Sequence, residues 1–87
     1  MIDLHWTSQA FAQLQALRAA GASNGLVVRL ATAPEALLLQ PMQGQRLKGY
    51  AKPEVRRLRI DGYVLDYTVQ RKMVAVVNVG LDPEASR

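Results

Sequence analysis

The chain contains no cysteine, a single histidine, one tryptophan and one phenylalanine. Without cysteine there is no disulfide framework and no thiolate metal site, and His5 alone supplies too few nitrogen ligands for a zinc centre of the usual kind. No metal or other cofactor is therefore expected. Long apolar runs are missing too: Leu26 to Val28 and Met73 to Val77 fall far short of the roughly 20 residues that span a bilayer. The amino terminus, MIDLHWTSQ, alternates apolar and polar residues where a signal peptide would carry a basic stretch followed by an apolar one. A cytoplasmic location with no membrane association is the expectation. Residues 1–87 leave room for one core only, so a single domain is expected. A chain this short buries only about 60 to 65% of its unfolded surface, so a partner that stabilises it is also expected.

Charge is present in quantity and unevenly placed. Residues 46 to 72 carry Arg46, Lys48, Lys52, Arg56, Arg57, Arg59, Arg71 and Lys72 against Glu54, Asp61 and Asp66, a local excess of +5, while the remainder of the chain nets −1. A basic region confined to one contiguous third of the chain has the form of an electrostatic footprint for phosphate or for an acidic protein. The competing reading is an ordinary solvated surface.

The pattern of apolar residues sets out the elements. Ile2, Leu4 and Trp6 alternate with Asp3 and His5, as in a half-buried strand, and Thr7 or Ser8 can cap a helix over about 8 to 20. Ala10, Phe11, Leu14 and Leu17 form the apolar face of that helix, and Gly21 suits its C-terminal cap. Ser23 or Asn24 can cap a second helix that carries Leu26, Val27, Leu30, Leu37 and Leu38 and runs to about Gln40, with Pro34 expected to kink or split it. Residues 41 to 50, PMQGQRLKGY, read as a loop. Val55 to Ile60 and Tyr63 to Gln70 flank Asp61-Gly62, a pair suited to the positive φ values of a type I′ turn, and thus predict a hairpin. Met73 to Gly80 is apolar on both faces and reads as a central strand. The order β-α-α-β-β-β predicts an α+β fold: a small, mostly antiparallel four-stranded sheet with two helices packed on one face.

The run RLKGYAKPEVRRLRIDGYVLDYTVQRKMVAVVNVG, taken with this order of elements, resembles the RelE/ParE toxin superfamily of bacterial type II toxin-antitoxin modules. The matching features, in order, are Leu47-Lys48-Gly49, Arg57-Leu58-Arg59-Ile60, Tyr63 to Tyr67, and Val79-Gly80, and the resemblance extends over about residues 2 to 80. It implies a growth-inhibiting toxin neutralised by a cognate antitoxin, acting on DNA gyrase or on ribosome-bound messenger RNA. Two departures bear on the choice. Ribonuclease members of the superfamily commonly carry an arginine after the first strand tyrosine, and here Val64 follows Tyr63. Such members also continue past Val-Gly with a basic pair and a tyrosine, whereas this chain continues LDPEASR.

Cleavage of RNA through its 2′-hydroxyl needs a base, an acid, and cations for the charge on the phosphorane. Lys48, Arg57 and Arg59 are the candidate phosphate ligands, and Arg57 and Arg59 share one strand face opposite Leu58 and Ile60. They either bind one anionic ligand or form ordinary ion pairs. The wider set Arg46, Lys48, Lys52, Arg56, Arg57 and Arg59 is the candidate surface for a target or partner. A base and an acid are harder to find. His5 reads as solvated, and Tyr63 and Tyr67 share a face with Leu65 and Val69, which favours core packing with a hydroxyl at the rim. Asp66 faces the other way and is expected to pair with Arg57 or Arg59 across the hairpin, while Trp6, Phe11 and Met73 are expected in the core. The expected function is that of a type II toxin inclined to ParE-like inhibition of gyrase. The alternatives are a RelE-like messenger-RNA endonuclease and a module that binds antitoxin without toxicity.

Overall fold

The computed structural model describes residues 3–41, 43–47 and 54–84. The elements are β1 (Asp3–Trp6), α1 (Ser8–Ala19), α2 (Asn24–Leu37), β2 (Gln45–Arg46), β3 (Val55–Ile60), β4 (Tyr63–Gln70) and β5 (Met73–Leu81). They form an α+β fold with one five-stranded sheet in the order β1-β5-β4-β3-β2, where β1 runs parallel to β5 and every other pairing is antiparallel.

Local chemistry accounts for the boundaries. Thr7 caps α1 by accepting the Ala10 N–H at 3.2 Å, and its own hydroxyl donates to the Val76 carbonyl at 2.9 Å, so one side chain both starts the helix and ties it to β5. Gly21, at φ +94°, closes α1 in the left-handed conformation that a C-terminal cap requires. Ser23 caps α2 through the Leu26 N–H. Asp61 and Gly62, at φ 49° and 84°, make the β3–β4 turn with the positive angles expected of that pair.

Three expectations need correction. Pro34 does not split its helix, one of the two outcomes expected there: α2 runs through it as one element to Leu37. The proline stands in the last turn, so the donor it lacks costs a single bond, to the Leu30 carbonyl one turn back, and few residues remain beyond it to be disturbed. The stretch read as loop contains β2, which adds a fifth strand by pairing Gln45 with Arg57 and Arg46 with Arg56. A strand of two residues leaves no alternation to read. Phe11 is outside the core, 53% exposed. Ala10 and Leu14 are buried and Leu17 packs against them, so the covered stripe of α1 is narrower than a face that includes Phe11.

The helices cover one face of the sheet. Ala10, Leu14, Val27, Leu30 and Leu37 pack there on Leu65, Tyr67, Val74, Val76 and Val79, with Leu4 and Trp6 at the margin and Met73 half-buried at the start of β5. Asp66 opposes Asn78 while the next residue, Tyr67, opposes Val76, so β5 carries one extra residue, Val77, as a bulge. Beyond Val76 the parallel pairing with β1 has ended, and α1 lies alongside β5 instead. No helix among the described residues is long and apolar enough to cross a membrane.

Candidate functional site

Strand alternation sorts the basic residues of β3 onto two faces. Arg56 opposes Tyr67 on the helix-covered side, whereas Arg57 opposes Asp66 and Arg59 opposes Val64 on the open side. Arg56 braces the entry to β2: its Nε donates to Glu54 Oε2 at 2.6 Å and its Nη1 to the Gly44 carbonyl at 2.7 Å. Arg46, on the same side of its own strand as Arg56, also pairs with Glu54, at 3.4 Å. Lys48 and Lys52 lie outside the described residues.

Arg57 stands at one end of a chain of polar side chains. Its Nε and Nη2 donate to the two oxygens of Asp66 at 2.8 and 3.1 Å, a two-pronged geometry that is both short and specific. Asn78 Nδ2 donates to Asp66 Oδ2 at 3.1 Å, Gln13 Nε2 donates to Asn78 Oδ1 at 2.9 Å, and Gln13 Oε1 accepts the Val79 N–H at 2.7 Å. That last bond satisfies a β5 backbone donor just past the bulge, where β1 no longer reaches. The hydrogen bond that Arg57 donates to Asp66 is the main cause that holds its guanidinium above the ordinary pKa, against the opposing effect of burial. An open concavity of about 470 Å³ lies over this network, lined by Gln9, Val55, Arg57, Asp66, Val77 and Asn78.

Arg59 is held differently. Its Nε donates to Asp82 Oδ2 at 3.1 Å, its Nη1 to Gln45 Oε1 at 2.8 Å and its Nη2 to Glu84 Oε2 at 3.2 Å. Asp82 is buried and further anchored, because its N–H donates to the Gly62 carbonyl at 2.9 Å and its Oδ1 accepts the Glu84 N–H at 2.9 Å. The acidic segment after β5 thus folds back onto the basic strand.

The two described tyrosines, Tyr63 and Tyr67, divide between core and margin. Tyr67 is fully buried, donates its hydroxyl proton to the Pro41 carbonyl at 2.9 Å and accepts the Gly44 N–H at 2.7 Å. Burial raises its pKa, with the Gly44 bond and the Arg56 charge acting against the rise. Gly44 is required for this approach: a Cβ there would lie 2.7 Å from the Tyr67 hydroxyl and 2.9 Å from the Arg57 carbonyl. Tyr63 is half-buried, and His5 is exposed on the same face as Arg57 but three strand spacings from β3, about 14 Å.

The arrangement therefore brings together Arg57, Arg59, Asp66 and, unforeseen from the sequence, Gln13, Gln45, Asn78, Asp82 and Glu84. Among the described residues, it brings neither His5 nor the hydroxyl of Tyr63 or Tyr67 into that group. Among the described residues, each guanidinium on the open face of β3 already has carboxylate partners, and no acid–base pair stands beside them.

A family model described as the ParE toxin of the type II toxin-antitoxin system, parDE, matches residues 4–82. Among solved structures, a chain of the chromosomal ParDE system from P. aeruginosa superposes with a TM-score of 0.70 at 20% identity, covering 93% of this chain and 96% of that one. The isolated E. coli RelE toxin gives 0.72 at 18% identity over 99% and 93%. A chain of the E. coli DinJ-YafQ complex gives 0.69 at 12% identity over 93% of each. At these identities the likeness establishes the fold. No curated protein sequence matches the chain.

Proposed function

The chain belongs to the ParE toxin family of type II toxin-antitoxin systems, and from that premise we propose that it acts in the cytoplasm as the growth-inhibiting subunit of such a pair, restrained by a cognate antitoxin and directed at DNA gyrase. The observation that carries the choice of target is the internal neutralisation of the open face. Arg57 is engaged by Asp66, and Arg59 by Asp82 and Glu84. A ribonuclease of this kind needs preorganised cations free to meet a phosphorane, and losing one such donor typically lowers the rate by about 100- to 1,000-fold. Two departures in sequence point the same way, because Val64 stands where an arginine would help hold the phosphate and Asp82 and Glu84 stand where positive charge and a tyrosine would follow. Tyr67, whose hydroxyl is committed between Pro41 and Gly44, gives no substitute acid.

The neighbouring solved structures include members of ParDE and DinJ-YafQ systems. In keeping with them, the partner proposed here is an antitoxin whose flexible, apolar and acidic segment orders on this domain and stabilises it by mass action. The test expresses the chain without its antitoxin and follows transcript 5′ ends together with gyrase supercoiling and induction of the DNA-damage response. Inhibited supercoiling with intact transcripts is expected. Codon-phased transcript cuts that disappear in Arg57→Ala or Arg59→Ala would instead establish a messenger-RNA endonuclease.

A further inference from the structure

The two arginines of the open face differ in how firmly their charge is closed off. Arg57 meets a buried carboxylate with two prongs, and a second side chain, Asn78, holds that carboxylate in place. Arg59 has one buried carboxylate, Asp82, on Nε, and its two outer nitrogens are met by exposed groups: Gln45 at the end of β2 and Glu84, 67% exposed and attached by a single 3.2 Å contact. A guanidinium has five N–H groups, and three are used, so Arg59 retains donor capacity on the side that faces solvent. An exposed pair of the Arg59–Glu84 type is weak and exchanges readily.

We propose that the Arg59–Gln45 end of the sheet is a carboxylate-binding site that Glu84 fills in the free protein and that an acidic side chain of the antitoxin takes over on binding. The inference rests on the reading that this chain pairs with an antitoxin. Asp82 remains in place as the fixed counter-charge, since its N–H and both oxygens are held within the fold. Gln45 supplies the geometric filter: its Oε1 holds Nη1, which leaves the Nη2 edge to the incoming group. A planar carboxylate suits that edge, and Glu84 is the demonstration that one fits.

The experiment titrates the full chain with the purified protein encoded by the adjoining gene, at low and high salt. It compares wild type, Glu84→Gln, Arg59→Gln and the double variant Arg59→Gln with Asp82→Asn. Removing the internal competitor is expected to tighten binding by about two- to fivefold in Glu84→Gln without a change in melting temperature. Removing the guanidinium is expected to weaken it by about 10-fold or more, and the double variant, which leaves no buried unpaired carboxylate, separates this loss from misfolding. Affinities in Glu84→Gln and in the double variant equal to wild type would overturn the site while the antitoxin pairing stands. Increased retention of Glu84→Gln on single-stranded RNA with unchanged antitoxin affinity would overturn it in favour of phosphate. Absence of binding by the wild type would overturn the pairing and the inference together.

Discussion

Tyr67 and Asp66 are consecutive residues of β4, both nearly withdrawn from solvent, and strand alternation sends them to opposite faces of the sheet. Tyr67 packs among aliphatic side chains and uses its one hydroxyl to hold the backbone at Pro41 and Gly44. Asp66 packs among polar groups and uses its two oxygens to neutralise Arg57 and align Asn78. On the covered face a polar atom serves the fold. On the open face the fold serves to place polar atoms, and its charges cancel one another before any partner arrives.

The comparison can be broken most forcefully at Tyr67. Truncation to Ala empties a large buried volume and releases the Gly44 segment, and a loss of about 3–5 kcal/mol is expected, visible as failure to melt cooperatively in calorimetry. Asp66→Ala should come next, with a loss of about 2–3 kcal/mol, because it leaves a partly buried guanidinium without its counter-charge. If the open face is self-contained, replacing both members, as in Arg57→Met with Asp66→Leu, recovers most of that stability in urea titrations. Gly44→Ala is expected to destabilise by about 1–3 kcal/mol, since the methyl group would press on the Arg57 carbonyl and the Tyr67 ring, neither of which can swing away.

The smallest effect is the most diagnostic. Tyr67→Phe removes only the hydroxyl, and a loss of about 1–2 kcal/mol at neutral pH is expected from the stranded Gly44 N–H. Its pH dependence carries a definite sign. The folded tyrosine has a pKa above the unfolded value of about 10, so its contribution is complete below pH 10 and is lost as pH rises from there through the folded pKa. Melting temperatures measured from pH 9 to 11 should therefore fall more steeply for wild type than for Tyr67→Phe. Parallel slopes would place the phenol in contact with solvent.

What could be read in advance follows the reach of each signal along the chain. Caps act over three residues, and Thr7 and Ser23 were both among the residues the sequence offers for that role. The Asp61-Gly62 turn and the separation of Arg57 and Arg59 from Leu58 and Ile60 depend on neighbours one or two positions away, and both stand in the structure as expected. The parallel pairing of Asp3 with Met73 has no local signature, since strand order is decided by which apolar faces the helices cover. The counter-charges of Arg59 were hidden for a related reason. Asp82 and Glu84 are visible in sequence only as a departure from the basic pair expected after Val79-Gly80, and nothing local shows that the chain returns to Gly62 and Arg59. Gln13 and Asn78 carry no distinguishing pattern at all; they acquire a role only because the bulge at Val77 leaves a β5 donor beside α1.

The place of β5 in the sheet has a consequence for how the chain comes to be folded during synthesis. It lies between β1 and β4, hydrogen-bonded to both, and it is the strand against which α1 and α2 pack. It is also the last of the described strands in sequence, so β1 and both helices leave the ribosome with their apolar sides uncovered and wait for a segment some 70 residues behind Asp3. Contacts of such long separation close slowly. A nascent toxin is accordingly unfinished, and open to capture, until translation of β5 has ended. Stalled or truncated chains that stop before Met73 should then be degraded, since no smaller native unit is left for them to form.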